Sequence, residues 1–196
     1  MDATLRRATE ADVPDLARLL IIAAHGIIDA LYCDLVPGVP TEKLFEWRFT
    51  QAGSARSYEY CWVAQQGLRT IGMVHAHPMD GLSDAPSDPR LTADRRTVLA
   101  PFVALGKAAR GSYHINAVAV ALEYRGSGIG NRLMALATSE AQRLGFADVS
   151  LLVFEQNSRA VALYRRLGFE IAGRSPVVPH PLVHHTGDLL LMMRRL

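Results

Sequence analysis

Apolar residues recur along the first third of the chain at Val13, Leu16, Leu20, Ala24, Ile27 and Leu31. This spacing of three to four residues puts them on one face of a helix. Asp12 stands where it can cap that helix, Pro14 is tolerated in its first turn, and the Val-Pro-Gly-Val-Pro run at 36–40 ends it. Thr41 is placed to cap a second helix carrying Leu44, Trp47 and Arg48. Ahead of both, residues 4–8 read as a short extended segment.

The pattern then changes period. Residues 58–65 and 70–77 are dominated by apolar side chains and meet at Gln66-Gly67, which predicts an antiparallel hairpin. A strand at 113–121 leads into a glycine-rich turn at 125–130 and a helix at 129–144, striped by Ile129, Leu133, Leu136, Ala137 and Leu144 and closed by Gly145. Residues 149–154 are nearly all apolar, as in a strand covered on both faces. Asn157 caps a helix over 158–167, and strands at 169–172 and 189–193 follow. The predicted order is β-α-α-β-β-β-α-β-α-β-β, with no internal repeat. One stretch breaks the rhythm: residues 79–111 start rich in Pro, Asp and Ser and then turn helical around Val98, Leu99, Phe102 and Leu105. So long a connection is unusual in a compact domain. It reads as either a lid or a contact surface for a partner.

Composition narrows the class. The 196 residues, 49% hydrophobic and 20% charged, suit one domain spanning 1–196 with an insertion around 79–111. The formal net charge of +2 is spread through interspersed arginines and acids, so nucleic acid is not an expected partner. Lys43 and Lys107 are the only lysines; the positive charge is therefore mostly guanidinium, suited to phosphate or carboxylate. Cys33 and Cys61 lack metal-ligand spacing and read as reduced, buried thiols. The longest apolar run, 19–28, is short and interrupted by His25, so no membrane span is expected and the location expected is cytoplasmic.

The chemistry starts at the glycine turn. Gly126, Gly128 and Gly130 alternate directly after a strand and directly before a helix, where backbone amides can reach an anion without side-chain obstruction. A dinucleotide loop would need glycine at Asn131, and a Walker loop would need Lys and then Ser or Thr after Gly130. Neither is present. Arg125-x-x-Gly128-x-Gly130 instead resembles the acetyl-CoA signature of the GCN5-related N-acetyltransferase (GNAT) superfamily. The stretch Asn157-x-x-Ala160-x-x-Leu163-Tyr164, followed by Leu167-Gly168-Phe169-Glu170, resembles that family's other recurrent motif at the expected distance.

The resemblance implies an α/β (α+β) fold, with a mixed, mostly antiparallel central sheet flanked by helices and splayed between the fourth and fifth strands. It implies acetyl-CoA as co-substrate and no metal. Its pantetheine arm would pair with the backbone of Val118, Ala119 and Val120, and its pyrophosphate would meet Arg125, Gly126, Ser127, Gly128, Ile129, Gly130 and Asn131. Asn157, Ala160 and Tyr164 would border the arm. Leu122 stands where the family often has proline. Acetyl transfer to an amine needs a neutral nucleophile and a proton for the departing thiolate. The resemblance gives the acid role to the Tyr164 hydroxyl. His114-Ile-Asn116 is similar to the His-x-His strand of arylalkylamine N-acetyltransferases, with Asn116 replacing the second histidine. His114, titrating near pH 6.5 if unperturbed, is then the expected base; Glu123 or bulk water is the alternative. With no sign of an activated cysteine, direct transfer in a ternary complex is expected.

Three further expectations follow. The acceptor is a small-molecule amine or a protein amino group, drawn by Asp29, Asp34, Glu46 or Asp80. His75 with His77, and His180 with His184 and His185, lack the carboxylate or cysteine that would complete a zinc site. The family also implies a homodimer. A catalytically silent acetyl-CoA sensor or regulatory module is the competing function.

Overall fold

Period-two alternation builds the sheet and period-3.6 stripes cover it. In the computed structural model, which describes residues 3–79 and 88–196, seven strands pair in the order β1-β2-β3-β4-β5-β7-β6. They are β1 Thr4–Arg7, β2 Cys61–Gln66, β3 Arg69–Pro78, β4 Tyr113–Val120, β5 Asp148–Phe154, β6 Glu170–Pro176 and β7 Asp188–Arg195. Every neighbouring pair is antiparallel except β4 and β5, which run parallel. Six helices flank them: α1 Val13–Ala23, α2 Ile27–Tyr32, α3 Thr41–Phe49, α4 Ala93–Ala108, α5 Ile129–Arg143 and α6 Ser158–Arg166. This is the mixed, mostly antiparallel sheet expected of the resemblance.

Alternation divides the interior in two. Val63 and Met73 face a core shared with α1 to α4, while their neighbours Ala64 and Val74 face a second core closed by Leu133, Ala137 and Ala141 of α5. Leu190 and Met192 of β7 join the second core, and Leu189 and Leu191 the first. A strand buried on both sides reads as a continuous apolar run, which is the pattern of β5 and β7. Among the described residues, no helix is long and apolar enough to cross a membrane.

Several local expectations are corrected. The apolar stripe from Val13 to Leu31 is two helices, because His25 and Gly26 take positive φ values of 49° and 87° between α1 and α2. Asp12 does not cap α1. Its carboxylate instead receives Arg6 at 2.8 Å, the amide and hydroxyl of Thr9 at 2.9 Å each and the hydroxyl of Thr70 at 2.9 Å. Thr41 is the first residue of α3, and its side chain makes no capping bond; Pro40 occupies the cap position. Residues Tyr58–Tyr60 form a 3-10 turn rather than the start of a strand. The 79–111 connection contributes α4, an element the predicted order left out, which packs against β6 and β7; its Pro, Asp and Ser rich beginning lies mostly outside the described residues. Cys61 is buried as expected, whereas Cys33 is partly exposed.

Candidate active site

The site begins where the sheet opens. β4 and β5 pair only through Tyr113 with Val149, His114 with Ser150 and Ile115 with Leu151. Beyond that point β4 stays with β3 while β5 stays with β7, so the two parallel strands splay. The Ala121 amide donates to Ile71 in β3, and the Val120 carbonyl accepts from Arg125 Nε at 3.1 Å on the opposite side. Backbone groups alternate sides along an antiparallel ladder. Val118 and Val120 therefore present their amides and carbonyls to the gap, and Ala119 turns toward β3.

The glycine turn closes one end of that gap. Gly126 and Gly128 have φ of 89° and 83°, the left-handed region that costs an L side chain roughly 1–2 kcal/mol. Gly128 is the N-cap of α5, which has no side-chain cap and no acidic residue in its first turn. The first amides of a helix have no partner within it, and Arg132 makes the first backbone bond back to Gly128. The amides of Ile129, Gly130 and Asn131 thus remain for an anion, assisted by the helix dipole. The Ser127 hydroxyl donates to the Tyr124 carbonyl at 2.6 Å, so its side chain is engaged locally.

A cavity of about 950 Å³ runs from this turn through the splay to α2 and α3. Its wall includes Val118, Ala119, Val120, Arg125, Gly126, Gly128, Ile129, Gly130, Asn131, Asn157, Ala160, Tyr164 and His114. Of the residues expected to bind acetyl-CoA, together with Tyr164 and His114, only Ser127 stands off the wall. Asn157 caps α6 by accepting from the Ala160 amide at 3.3 Å, and its Nδ2 donates to His25 Nε2 at 3.1 Å. Tyr164, half-buried, packs its ring near Phe169 with centroids 6.0 Å apart. Among the described residues its hydroxyl has no hydrogen-bond partner, and burial pushes its pKa up to about 12, so it holds its proton at neutral pH.

Three imidazoles line the middle of the cavity. Their ring centroids lie 5.6 Å apart for His75 and His77, and 6.0 Å for His77 and His114. Hydroxyl protons can be counted to fix the tautomer of His114. The Ser112 hydroxyl donates to the Ala109 carbonyl at 2.6 Å, which uses its one proton. The 2.6 Å contact between Ser112 and Ser150 must then use the proton of Ser150. His114 Nδ1, 2.9 Å from Ser150 Oγ, is left as the donor. Nε2 of His114 therefore carries the lone pair, and among the described residues it makes no hydrogen bond. His75 has the other tautomer: its Nε2 donates to the Ala55 carbonyl at 2.9 Å and its Nδ1 accepts from Asn116 at 3.0 Å. Burial, reinforced by His77, lowers the pKa of both His75 and His114 to about 3. The expected titration of His114 near 6.5 is thus corrected, since its ring stays neutral.

Of the acidic residues expected to draw an ammonium group, none of the described ones lines the cavity. Asp29, Asp34 and Glu46 are absent from the wall; Glu46 pairs with Lys43 at 2.8 Å, Asp34 accepts from the Cys33 thiol, and Asp80 lies outside the described residues. The wall carries Arg48 and Arg56 at this end instead. Arg48 was expected only as a residue of the second helix and Arg56 was not singled out, nor was the role of His25, because nothing local marks them as parts of a site. The C-terminal histidines also regroup: His185 stacks near His25 at 4.8 Å, while the His180 ring accepts from the Leu182 amide. Burial raises the pKa of the Cys61 thiol, and the neighbouring Asp34 raises that of Cys33, so neither is primed as a nucleophile. Among the described residues, no group of three or more His, Cys, Asp or Glu side chains is placed to hold a metal ion.

The pattern shared by the acetyltransferase (GNAT) family matches residues 25–169. The chain is 42% identical over 76 residues to N-alpha-acetyltransferase 40 of Saccharomyces cerevisiae, a match covering 35% of this chain and 27% of that protein. It is 36% identical over 75 residues to the peptidyl-lysine N-acetyltransferase YjaB of Escherichia coli, covering 36% of this chain and 48% of that one. These matches therefore span between about a quarter and about half of the relatives' length. Its fold is similar to that of a GCN5-related N-acetyltransferase from Kribbella flavida, with a TM-score of 0.63 at 22% identity over 100% of this chain and 98% of the other. With a family match across most of its length and the splayed sheet that accompanies it, this chain belongs to the acetyltransferase (GNAT) family.

Proposed function

We propose that this chain transfers the acetyl group of acetyl-CoA directly to a primary amine. One observation carries the reading: a single cavity joins a helix N-terminus shaped for pyrophosphate to a tyrosine hydroxyl that has no hydrogen-bond partner among the described residues. The amides at the start of α5 hold the pyrophosphate, and the gap-facing backbone of Val118 and Val120 receives the pantetheine amides. Asn157 and Ala160 wall the same channel at the head of α6.

Transfer forms a bond between the amine nitrogen and the acetyl carbon and breaks the bond from that carbon to sulfur. Tyr164 donates its proton to the departing thiolate, a role suited to a hydroxyl that keeps its proton at neutral pH. His114 offers the Nε2 lone pair to an N–H of the attacking amine and orients it. With so low a pKa it does not store the proton, which passes to water in the cavity. The unactivated thiols of Cys33 and Cys61 favour direct attack over an acyl-enzyme.

The test is an acetyl-CoA assay against amines, amino acids and N-terminal peptides, reading thiol release and product mass together. Tyr164→Phe is expected to lower kcat by about a hundredfold and to leave the acetyl-CoA dissociation constant within about twofold. Unchanged turnover removes Tyr164 from the acid role. Tight acetyl-CoA binding with no acetylated product would favour a silent sensor.

A further inference from the structure

The far end of the cavity has a charge pattern that bears on the acceptor. Among the described residues of the wall there is no aspartate or glutamate, whereas Arg48 and Arg56 both reach it. Their situations differ. Arg48 is committed: it donates to Asp88 at 3.0 Å and lies 4.3 Å over the Tyr32 ring and 5.1 Å over the Phe45 ring. Asp88 is shared in turn with Arg90 at 2.7 Å. Arg56 is not committed. Among the described residues its guanidinium makes no hydrogen bond and no ion pair, and its open surface is part of the cavity wall. Loss of hydration lowers its pKa, with Arg48 adding to that effect while Tyr32 and Asp88 oppose it. Arginine keeps its charge under such pressure.

Arg56 is exposed on that wall, an unpaired guanidinium open to whatever enters the cavity. Its planar fork of donors matches one chemical partner above others, an oxyanion with two oxygens. A polyamine or aminoglycoside would bring several cations to a wall that offers cations only. An amine carrying a carboxylate would bring its own counter-ion for Arg56. The surroundings are apolar and aromatic, from Leu31, Tyr32, Phe45 and Phe49, and the neutral His75 and His114 add no charge of either sign.

Resting on the acetyl-transfer reading above, we propose that the acceptor is a small amino acid or amino-acid-like compound with an apolar body, whose carboxylate is bound by Arg56. Its amino group then points toward His114 and the splay, and Arg48, held by Asp88 and the two rings, keeps the pocket positive without serving as the direct ligand.

The experiment compares L-phenylalanine and L-methionine with their carboxamides and with the matching amines that lack the carboxyl carbon. Binding to the CoA-saturated protein is measured by calorimetry, and kcat/KM by product mass. The acids are expected to exceed the amides about ten- to a hundredfold in both readouts, the scale of a charge-assisted contact. Arg56→Ala should bring that ratio near one, and Arg56→Lys should restore part of it; CoA affinity, set at the opposite end of the cavity, reports that each variant is folded. Equal binding of acids and amides overturns the carboxylate site, as does an equal loss for both in Arg56→Ala, or a preference for acidic N-terminal peptides over free amino acids. Acid-selective binding without any acetylated product leaves the site standing and removes the catalytic reading. Acetylation without acid selectivity does the reverse.

Discussion

At the scale of single residues, the proton count through Ser112, Ser150 and His114 is the most consequential feature of the site. Each hydroxyl has one proton to give, and the chain ends on the Ala109 carbonyl, so the imidazole is held as the Nδ1–H tautomer. Ser150→Ala removes the acceptor for that N–H in a fully buried position. An unsatisfied buried donor costs about 1–3 kcal/mol. The ring can escape the cost by moving its proton to Nε2, which takes the lone pair away from the cavity. Two outcomes are expected: a switch in the nitrogen-15 chemical shifts of His114, and a fall in kcat of about tenfold with little change in acetyl-CoA affinity. A retained Nδ1–H signal together with full activity would remove Ser150 from a positioning role. Because His114 stays neutral, the pH-rate profile of the unaltered protein should show no inflection near 6.5 from this ring.

At the scale of elements, the break between α1 and α2 shows which parts of the fold were legible. The apolar spacing runs through it without interruption, and a period cannot reveal a stop imposed from elsewhere in the chain. That stop is tertiary: a Cβ on Gly26 would sit 1.7 Å from the Leu182 carbonyl oxygen, at a φ of 87°. The His184 amide also binds the His25 carbonyl at 3.0 Å, and His25 in turn holds Asn157 at the head of α6. Gly26→Ala is expected to lower unfolding free energy by at least about 3 kcal/mol and to weaken acetyl-CoA binding several-fold through Asn157. Urea unfolding and calorimetry measure the two effects, and a variant with unaltered CoA affinity would uncouple this corner from the cofactor channel. The glycine turn and the Asn157 cap could be read in advance because their geometry depends on residues within a few positions. Asp12 was misread because a carboxylate at a helix start serves either a cap or an ion pair, and Arg6, Thr9 and Thr70 decide the matter from other elements. Arg56 and the grouping of His75, His77 and His114 were not legible, since the sheet brings them together from separate strands and a loop.

At the scale of the whole molecule, the buried neutral histidines couple the site to acid stability. An unfolded histidine titrates near 6.5, whereas His75 and His114 have pKa values lowered to about 3 by burial. Below pH 6.5 the unfolded chain therefore binds protons that the folded chain refuses, and stability falls as the pH falls. It is fully present above 6.5 and keeps declining until the pH passes the folded values. Relative to a pH well above 6.5, each ring has removed about 2 kcal/mol by pH 5, or about 4 kcal/mol together, a large share of a typical domain's stability. His25 and His185 are also lowered, chiefly by burial, with neighbouring histidines adding to it, and act in the same direction. Asp12 and Asp88 titrate below this window in both states, as their carboxylates are held down by Arg6 and Arg90 despite burial, so the loss between pH 7 and 5 belongs to the imidazoles. Urea unfolding at pH 7, 6 and 5 should show a slope approaching at least two protons per molecule. His75→Gln, which keeps a donor for the Ala55 carbonyl, should be less stable at pH 7 yet lose about one proton's worth less on acidification. A flat profile would mean that the rings accept protons in the folded state, and His114 would then be available to store the proton of the attacking amine.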